Sequence, residues 1–255
     1  MDYAKNKEYW KKTSLQQSHS TKSLTHSDPY LPKLETDAIE AFIDPKDNVL
    51  EFGCGPCDNA LSYMKKANSY IGVEFMENFT QLAKDKINQL KVANSEIIQY
   101  DGFEYARDMM IESDTIITQR FIINLRDRET QISFFKNLKE NAKTKFKMII
   151  CEGFLEELEN LNKLRSIIGL SLINVAEFNN FLDKDFIDDI VKIGFERINE
   201  IKFNNYFYIT RLFNNPEHLK EGINLNEEAY KIEKSGFVQF DFNISYSKVI
   251  VLKLL

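Results

Sequence analysis

The chain has 255 residues, 43% of them hydrophobic, with a formal charge of −6 and a pI near 5.3. This size and apolar content suit one large domain with a substantial core, and the acidic balance with scattered Lys and Arg disfavours a nucleic-acid partner. No apolar run approaches the ~20 residues of a membrane span, and the opening MDYAKNKEYWKK lacks the apolar centre of a signal peptide, so a cytoplasmic protein acting on a small molecule is expected.

From residue 36 onward helix-like and strand-like segments alternate. TDAIEAFI reads as a helix, NVLEF as a strand, DNALSYMKKA as a helix and SYIGVEF as a strand. The helix MENFTQLAKDKINQLK, the strands SEIIQY and SDTIITQR, the helix ETQISFFKNLKENA and the strand KMIICEG continue the series. Such alternation predicts an α/β fold with a Rossmann-like, doubly wound sheet, because each parallel crossover needs a helix to return the chain. After residue 154 the rhythm loosens. DKDFIDDIVKIGF reads as a helix, FERINEIKFNNYFYITRLF as strand-like and SYSKVIVLKLL as the final strand. Residues 1–35 form an N-terminal cap segment in this reading, and 36–255 the main domain. The polar stretch 213–244 is a long insertion and a candidate lid over the site. Three cysteines, Cys54, Cys57 and Cys151, are an odd number and suit reduced thiols. The Cys54/Cys57 pair has no second pair or nearby histidine to complete a zinc site, so no metal is expected.

The densest turn signal is VLEFGCGPCDNA, residues 49–60. Gly53 and Gly55 fall where the first strand turns into its helix, and ligands of open α/β sheets bind there. Glycine admits positive φ and close ligand approach, and a helix start near Asp58 presents free N–H groups. The dinucleotide fingerprint wants Gly or Ala at the sixth position, where this chain has Asp58, which would repel a pyrophosphate. Glu51, two residues ahead of Gly53, suits a ligand carrying an ammonium group. S-adenosylmethionine meets both conditions. Glu74 ends the second strand, where an acid accepts from both ribose hydroxyls, and Phe75 and Met76 can flank the adenine. Asp101 ends the third strand, placed for the adenine amino group, with Gly102 beside it and Phe103 covering the ring. Gln119 closes the fourth strand on the same cofactor edge.

The segments VLEFGCGPCD, IGVEF, QYDGFEY and DTIITQRFIINL resemble those of class I S-adenosylmethionine-dependent methyltransferases, over residues 36–155. The resemblance implies a seven-stranded sheet whose last strand is antiparallel. It also implies transfer of the sulfonium methyl to a nucleophile, leaving S-adenosylhomocysteine. Cys57 replaces a frequent third glycine, and NAKTKFK replaces the usual Gly-Gly turn before the fifth strand. SHSTKSLTHSDPYLPKLETDAI, TQRFIINLRDRETQ, ENLNKLRSIIGL and NNYFYITRLFNNP are similar to segments of bacterial methyltransferases of capsule and surface-polysaccharide biosynthesis. That narrower resemblance implies an acceptor pocket built outside the central fold, for a sugar or a phosphoramidate group.

Methyl transfer is an in-line displacement, and a neutral hydroxyl must also lose its proton. Arg120 and Asn124 follow the fourth strand, and a guanidinium there suits an acceptor anion or the methionine carboxylate. Glu152 ends the fifth strand as a base or as a partner pinning Arg120. His19 and His26, in the segment before the fold, titrate near neutrality and are the other base candidates. Trp10, Tyr9 and Tyr30 suggest that this segment docks on the site. Asn162, Arg165, Tyr206, Tyr208 and Arg211 are candidate linings of an anionic acceptor pocket, and the tyrosines read equally as core residues of a strand. Arginines in that pocket favour a nucleotide-linked or saccharide acceptor, and walls of Phe and Tyr alone favour an aromatic or amine metabolite. A binding module without turnover retains the same fold, but the acids at the strand ends count against it. The oligomeric state is not legible from these residues.

Overall fold

The computed structural model describes residues 3–17, 28–213 and 223–255. Its centre is a seven-stranded sheet in the order β3-β2-β1-β4-β5-β7-β6. The strands are β1 (Asn48–Phe52), β2 (Ser69–Glu74), β3 (Ser95–Gln99), β4 (Thr115–Gln119), β5 (Lys147–Gly153), β6 (Phe195–Lys202) and β7 (Ser247–Leu254). β1 pairs in parallel with both β2 and β4, and β4 with β5, while β7 runs antiparallel to β5 and β6. The expected seven strands and antiparallel last strand are therefore present.

Side chains alternate faces along these strands, so the central strands feed two apolar layers. Val49, Ile117, Ile149 and Val251 join one cluster with α2 (Tyr30–Glu40), α3 (Leu61–Lys66), α4 (Glu77–Leu90) and α9 (Asn204–Leu212). Leu50, Phe52, Ile116, Met148 and Leu252 join the other with α5 (Gly102–Asp108), α6 (Arg128–Asn141) and α8 (Phe186–Ile193). Two buried layers on one sheet are what strands apolar on both faces require.

The elements outside this alternation differ most from the sequence reading. Helix α1 (Tyr3–Gln17) carries little apolar periodicity and was not among the predicted elements. Helix α2 begins six residues earlier than TDAIEAFI and crosses the 35/36 boundary; Pro32 is tolerated because it lies in the first turn. Helix α3 starts at Leu61, three residues after Asp58. The strand expected through FNNYFYITRLF stops at Lys202, and residues 204–212 are helical, with Tyr206 and Phe207 buried and Tyr208 partly exposed. Helix α7 (Leu155–Ile167) follows β5, and α10 (Leu225–Ser235) occupies much of the expected lid. Helix α10 packs on α9 and α2.

The chain leaves β1 for β2 and β3 on one side, then returns to β4 on the other. The switch point is thus the carboxyl edge between β1 and β4. Because β7 is antiparallel, its first residue, Ser247, lies beside Gly153 at this same edge.

Candidate active site

A cavity of about 480 Å³ opens at the switch point, within the range of small-molecule sites. One end is built by the glycine turn and the ends of β2 and β3. Gly53 has φ of 69°, and a Cβ there would stand 2.9 Å from the Phe121 ring. Gly55 has φ of 55° and open space where its Cβ would be. The turn thus offers bare backbone to the cavity, with Phe121, itself a lining residue, packed against Gly53.

The acids expected at the strand ends surround this turn. Glu74 accepts from the N–H of Met76 at 2.7 Å and of Gly55 at 2.9 Å, one bond to each carboxylate oxygen. The Phe75 N–H is also directed at this carboxylate, and its oxygens keep lone-pair capacity for a ligand. Glu51 accepts from Tyr63 at 2.8 Å and Tyr70 at 2.5 Å, and lines the cavity floor. Burial is the main cause that pushes both carboxyls up to about 7, against the lowering effect of their hydrogen bonds. Asp101 caps α5, accepting from Phe103 N–H at 3.0 Å. Phe75, Met76, Gly102 and Gln119 also line the cavity, whereas the Phe103 ring packs against the core layer beneath. Phe103 therefore does not cover a ring bound there.

Helix α1 lines the cavity through Asn6, Lys7, Tyr9 and Trp10. Lys7 lies 3.4 Å from Asp101 and 4.4 Å from the Phe75 ring centroid. One residue earlier, Asn6 donates to the Asn124 side chain at 3.1 Å and to the Phe178 carbonyl at 2.9 Å. Trp10 Nε1 donates to the same Asn124 oxygen at 2.9 Å, and Tyr9 stacks on Phe178 at 3.8 Å. Asn124 thus anchors the N-terminal helix, with its own amide donating to the Arg120 carbonyl at 2.5 Å.

The other end is lined by Arg120, Arg211, Asp28, Asn179, Phe181, Tyr246 and Ser247. Arg120 is the residue after β4 and has φ of 56°, a left-handed conformation that costs a non-glycine residue ~1–3 kcal/mol and clusters at functional sites. Its Nη1 donates to Glu35 at 2.7 Å. Burial is the largest single influence and works against the charge, but Glu35, Cys151 and Glu152 together outweigh it and the guanidinium pKa is raised. Arg211 pairs with Asp28 at 3.2 Å, and Asp28 also accepts from Tyr206 at 2.7 Å. Both arginines therefore already have carboxylate partners within the protein.

Several expected site residues serve other ends. Glu152 is fully buried and does not line the cavity; it accepts from the N–H groups of Phe121, Ile122 and Ile123 and holds the turn after β4. It is a fastener of that turn and not a base. Asn162 bonds both backbone groups of Ile173, and Arg165 bonds the carbonyls of Ser171 and Arg211, so both brace the loop after α7. Tyr208 packs among Phe213, Phe240 and Phe242, away from the cavity. None of residues 223–244 lines the cavity, so the described part of the expected lid does not cover it. His19 and His26 lie outside the described residues. Cys54 and Cys57 are buried thiols, and the Cys54 pKa is raised by the hydrogen bond with Cys57 and by burial.

No model of a known protein family matches this sequence, and no curated protein matches it. Solved structures do match. Magnesium protoporphyrin IX methyltransferase (ChlM) from Synechocystis PCC 6803, with bound S-adenosylhomocysteine, is 12% identical with a TM-score of 0.62, covering 97% of each chain. The N-methyltransferase NodS from Bradyrhizobium japonicum WM9, in complex with S-adenosylhomocysteine, is 8% identical with a TM-score of 0.56, covering 96% of each chain. The [4+2]-cyclase SpnF is 11% identical with a TM-score of 0.56, over 88% of this chain and 80% of that one. The chain has the Rossmann-like fold of class I S-adenosylmethionine-dependent methyltransferases.

Proposed function

We propose that this chain binds S-adenosylmethionine and transfers its methyl group to a small-molecule acceptor. The observation that carries the reading is one continuous cavity that begins at the glycine turn, Glu74 and Asp101 and ends at Arg211 and Tyr246. The first end fits the cofactor: Glu74 keeps lone pairs for ribose hydroxyls, Gly55 leaves open space, and Asp101 stands where an adenine amino group would be met. Bound there, the cofactor supplies an electrophilic methyl on a sulfonium. The chain's own residues hold the two reactants in line and exclude water, a contribution of orientation more than of covalent chemistry. Helix α1 supplies the outer wall through Lys7, Tyr9 and Trp10, so residues 1–35 act as a cap in this reading.

For the acceptor, we favour a precursor of a surface polysaccharide, a sugar or phosphoramidate group carried on a nucleotide. Arg211 at the far end supports an anionic acceptor, since a guanidinium binds a phosphoryl group in bidentate fashion. The capsule-enzyme resemblance of segments 18–39 and 118–131 points the same way. A specific observation favours a second acceptor class. Tyr9, Trp10, Phe178, Phe181 and Tyr246 wall the cavity, which suits a flat aromatic metabolite. Calorimetry with S-adenosylhomocysteine tests the cofactor; absence of binding, with binding of a nicotinamide dinucleotide instead, refutes it. Transfer of labelled methyl to a nucleotide-linked phosphoramidate, a neutral sugar or an aromatic amine then separates the acceptors.

A further inference from the structure

Glu35 belongs to none of the motifs of the strand ends, yet it is fully buried and all its hydrogen bonds go to residues that line the cavity. Its Oε2 accepts from Arg120 Nη1 at 2.7 Å and from Gln119 Nε2 at 2.9 Å, and its Oε1 accepts from Ser247 at 2.5 Å. Gln119 in turn accepts from Asn59, beside the glycine turn, at 3.2 Å. Glu35 itself is absent from the cavity wall, so it acts only through these neighbours.

We propose that Glu35 is the positioning residue of this site, fixing Arg120 so that its remaining N–H groups receive the carboxylate of the cofactor's amino-acid end. This rests on the S-adenosylmethionine reading above. Arg120 is held at three points: its N–H donates to Cys151 at 2.9 Å, its carbonyl accepts from Asn124, and its Nη1 is taken by Glu35. The left-handed backbone and the buried partner leave the guanidinium one direction, and its side chain keeps 25% exposure on the cavity side. With the ribose at the end of β2, a tail crossing β1 reaches the end of β4 after two strand spacings, ~10 Å. Gln119 and Arg120 stand there, Gln119 with its amide oriented by Glu35 on one side and Asn59 on the other. The Glu35 carboxylate also pairs with Arg120, so the buried guanidinium has an anionic partner within the protein.

Calorimetry with two probes tests this, S-adenosylhomocysteine and 5′-methylthioadenosine, which lacks the amino-acid end. Loss of a charge-assisted contact predicts that Glu35→Gln and Arg120→Ala each weaken S-adenosylhomocysteine ~10–100-fold while leaving methylthioadenosine within about twofold. The double variant should lose no more than Arg120→Ala alone, because both act through one contact. Glu35→Asp, which keeps the charge but withdraws it, should fall between, and serves if the glutamine variant fails to fold. Equal weakening of both probes means that Glu35 only supports the scaffold, and unchanged affinity for both means that Arg120 does not meet the carboxylate; either overturns the proposal. If the unaltered protein binds neither probe, the cofactor reading itself falls, and this inference with it.

Discussion

With the ribose on Glu74, as proposed, cofactor affinity should depend on pH in a direction that can be calculated. Burial raises its pKa from 4.5 to about 7, and the N–H groups of Met76 and Gly55 only partly offset that. Two ribose hydroxyls can donate to the ionised carboxylate, whereas the protonated form must give one oxygen's acceptor role to its own proton. The cofactor therefore favours ionised Glu74, and affinity should rise with pH until the group is fully ionised. With a pKa near 7, about one tenth of Glu74 is ionised at pH 6 and about nine tenths at pH 8, a change in affinity approaching ~10-fold. Glu51, also near 7 and also facing the cavity, can add to the slope. Calorimetric titration of S-adenosylhomocysteine between pH 6 and 8, on the unaltered protein and on Glu74→Gln, is the assay. The variant should bind ~10–100-fold more weakly at pH 8, from loss of a charged acceptor worth ~1.5–3 kcal/mol, and should lose the part of the slope that Glu74 carries. Affinity that is flat or falling with pH, or a full slope surviving in Glu74→Gln, would refute the reasoning.

Gly53→Ala adds a Cβ at φ of 69° and 2.9 Å from the Phe121 ring, so it should destabilise the fold by ~1–3 kcal/mol, read as a lower denaturant midpoint; an unchanged midpoint means the turn is more yielding than described. Trp10 is the only tryptophan and shares α1 with Lys7, so a ligand settling beside Asp101 should shift its emission, saturating at the calorimetric affinity. Emission unchanged by a ligand that calorimetry shows bound would separate α1 from the cofactor end. If the acceptor is a neutral hydroxyl, His19→Ala or His26→Ala should slow turnover ~10²–10⁴-fold with cofactor affinity kept; full activity in both variants points to an acceptor that arrives ionised.

The sheet and the gathering of its strand-end residues around one cavity were legible because their signals are local. A strand declares itself by a short apolar run, and Glu51, Gly53, Gly55, Glu74 and Asp101 each stand at the end of such a run, where topology alone places them at one edge. The far end of the cavity was not, because its residues meet only in space. Nothing in the sequence distance of 212 between Glu35 and Ser247 hints at their contact, which follows from the antiparallel course of β7. Glu152 was misassigned for a related reason: a carboxyl at a strand end can face the cavity or the backbone of the next turn, and only the three N–H groups after β4 decide it. Residues 204–212 alternate weakly enough for either structure, and burial of Tyr206, Phe207 and Thr210 on one helical face settles them as α9. Helix α1 carries too weak an apolar stripe to announce itself; single polar contacts to Asn124 and the Phe178 stack hold it instead.

The place of β7 has a consequence for how the molecule is made. β6 sits at the sheet edge with β7 as its sheet neighbour, and β5 meets β7 on its open side, so both wait for the strand that comes last in chain order. During synthesis, β1 to β5 can assemble as they emerge, but the apolar flank of β5 stays exposed until some 90 further residues have followed. An exposed strand edge of that kind is a template for pairing with other chains. Production of this protein should therefore be sensitive to stalled or clipped chains that lack residues 247–254, and such chains should aggregate even though the glycine turn, Glu74 and Asp101 are all present in them.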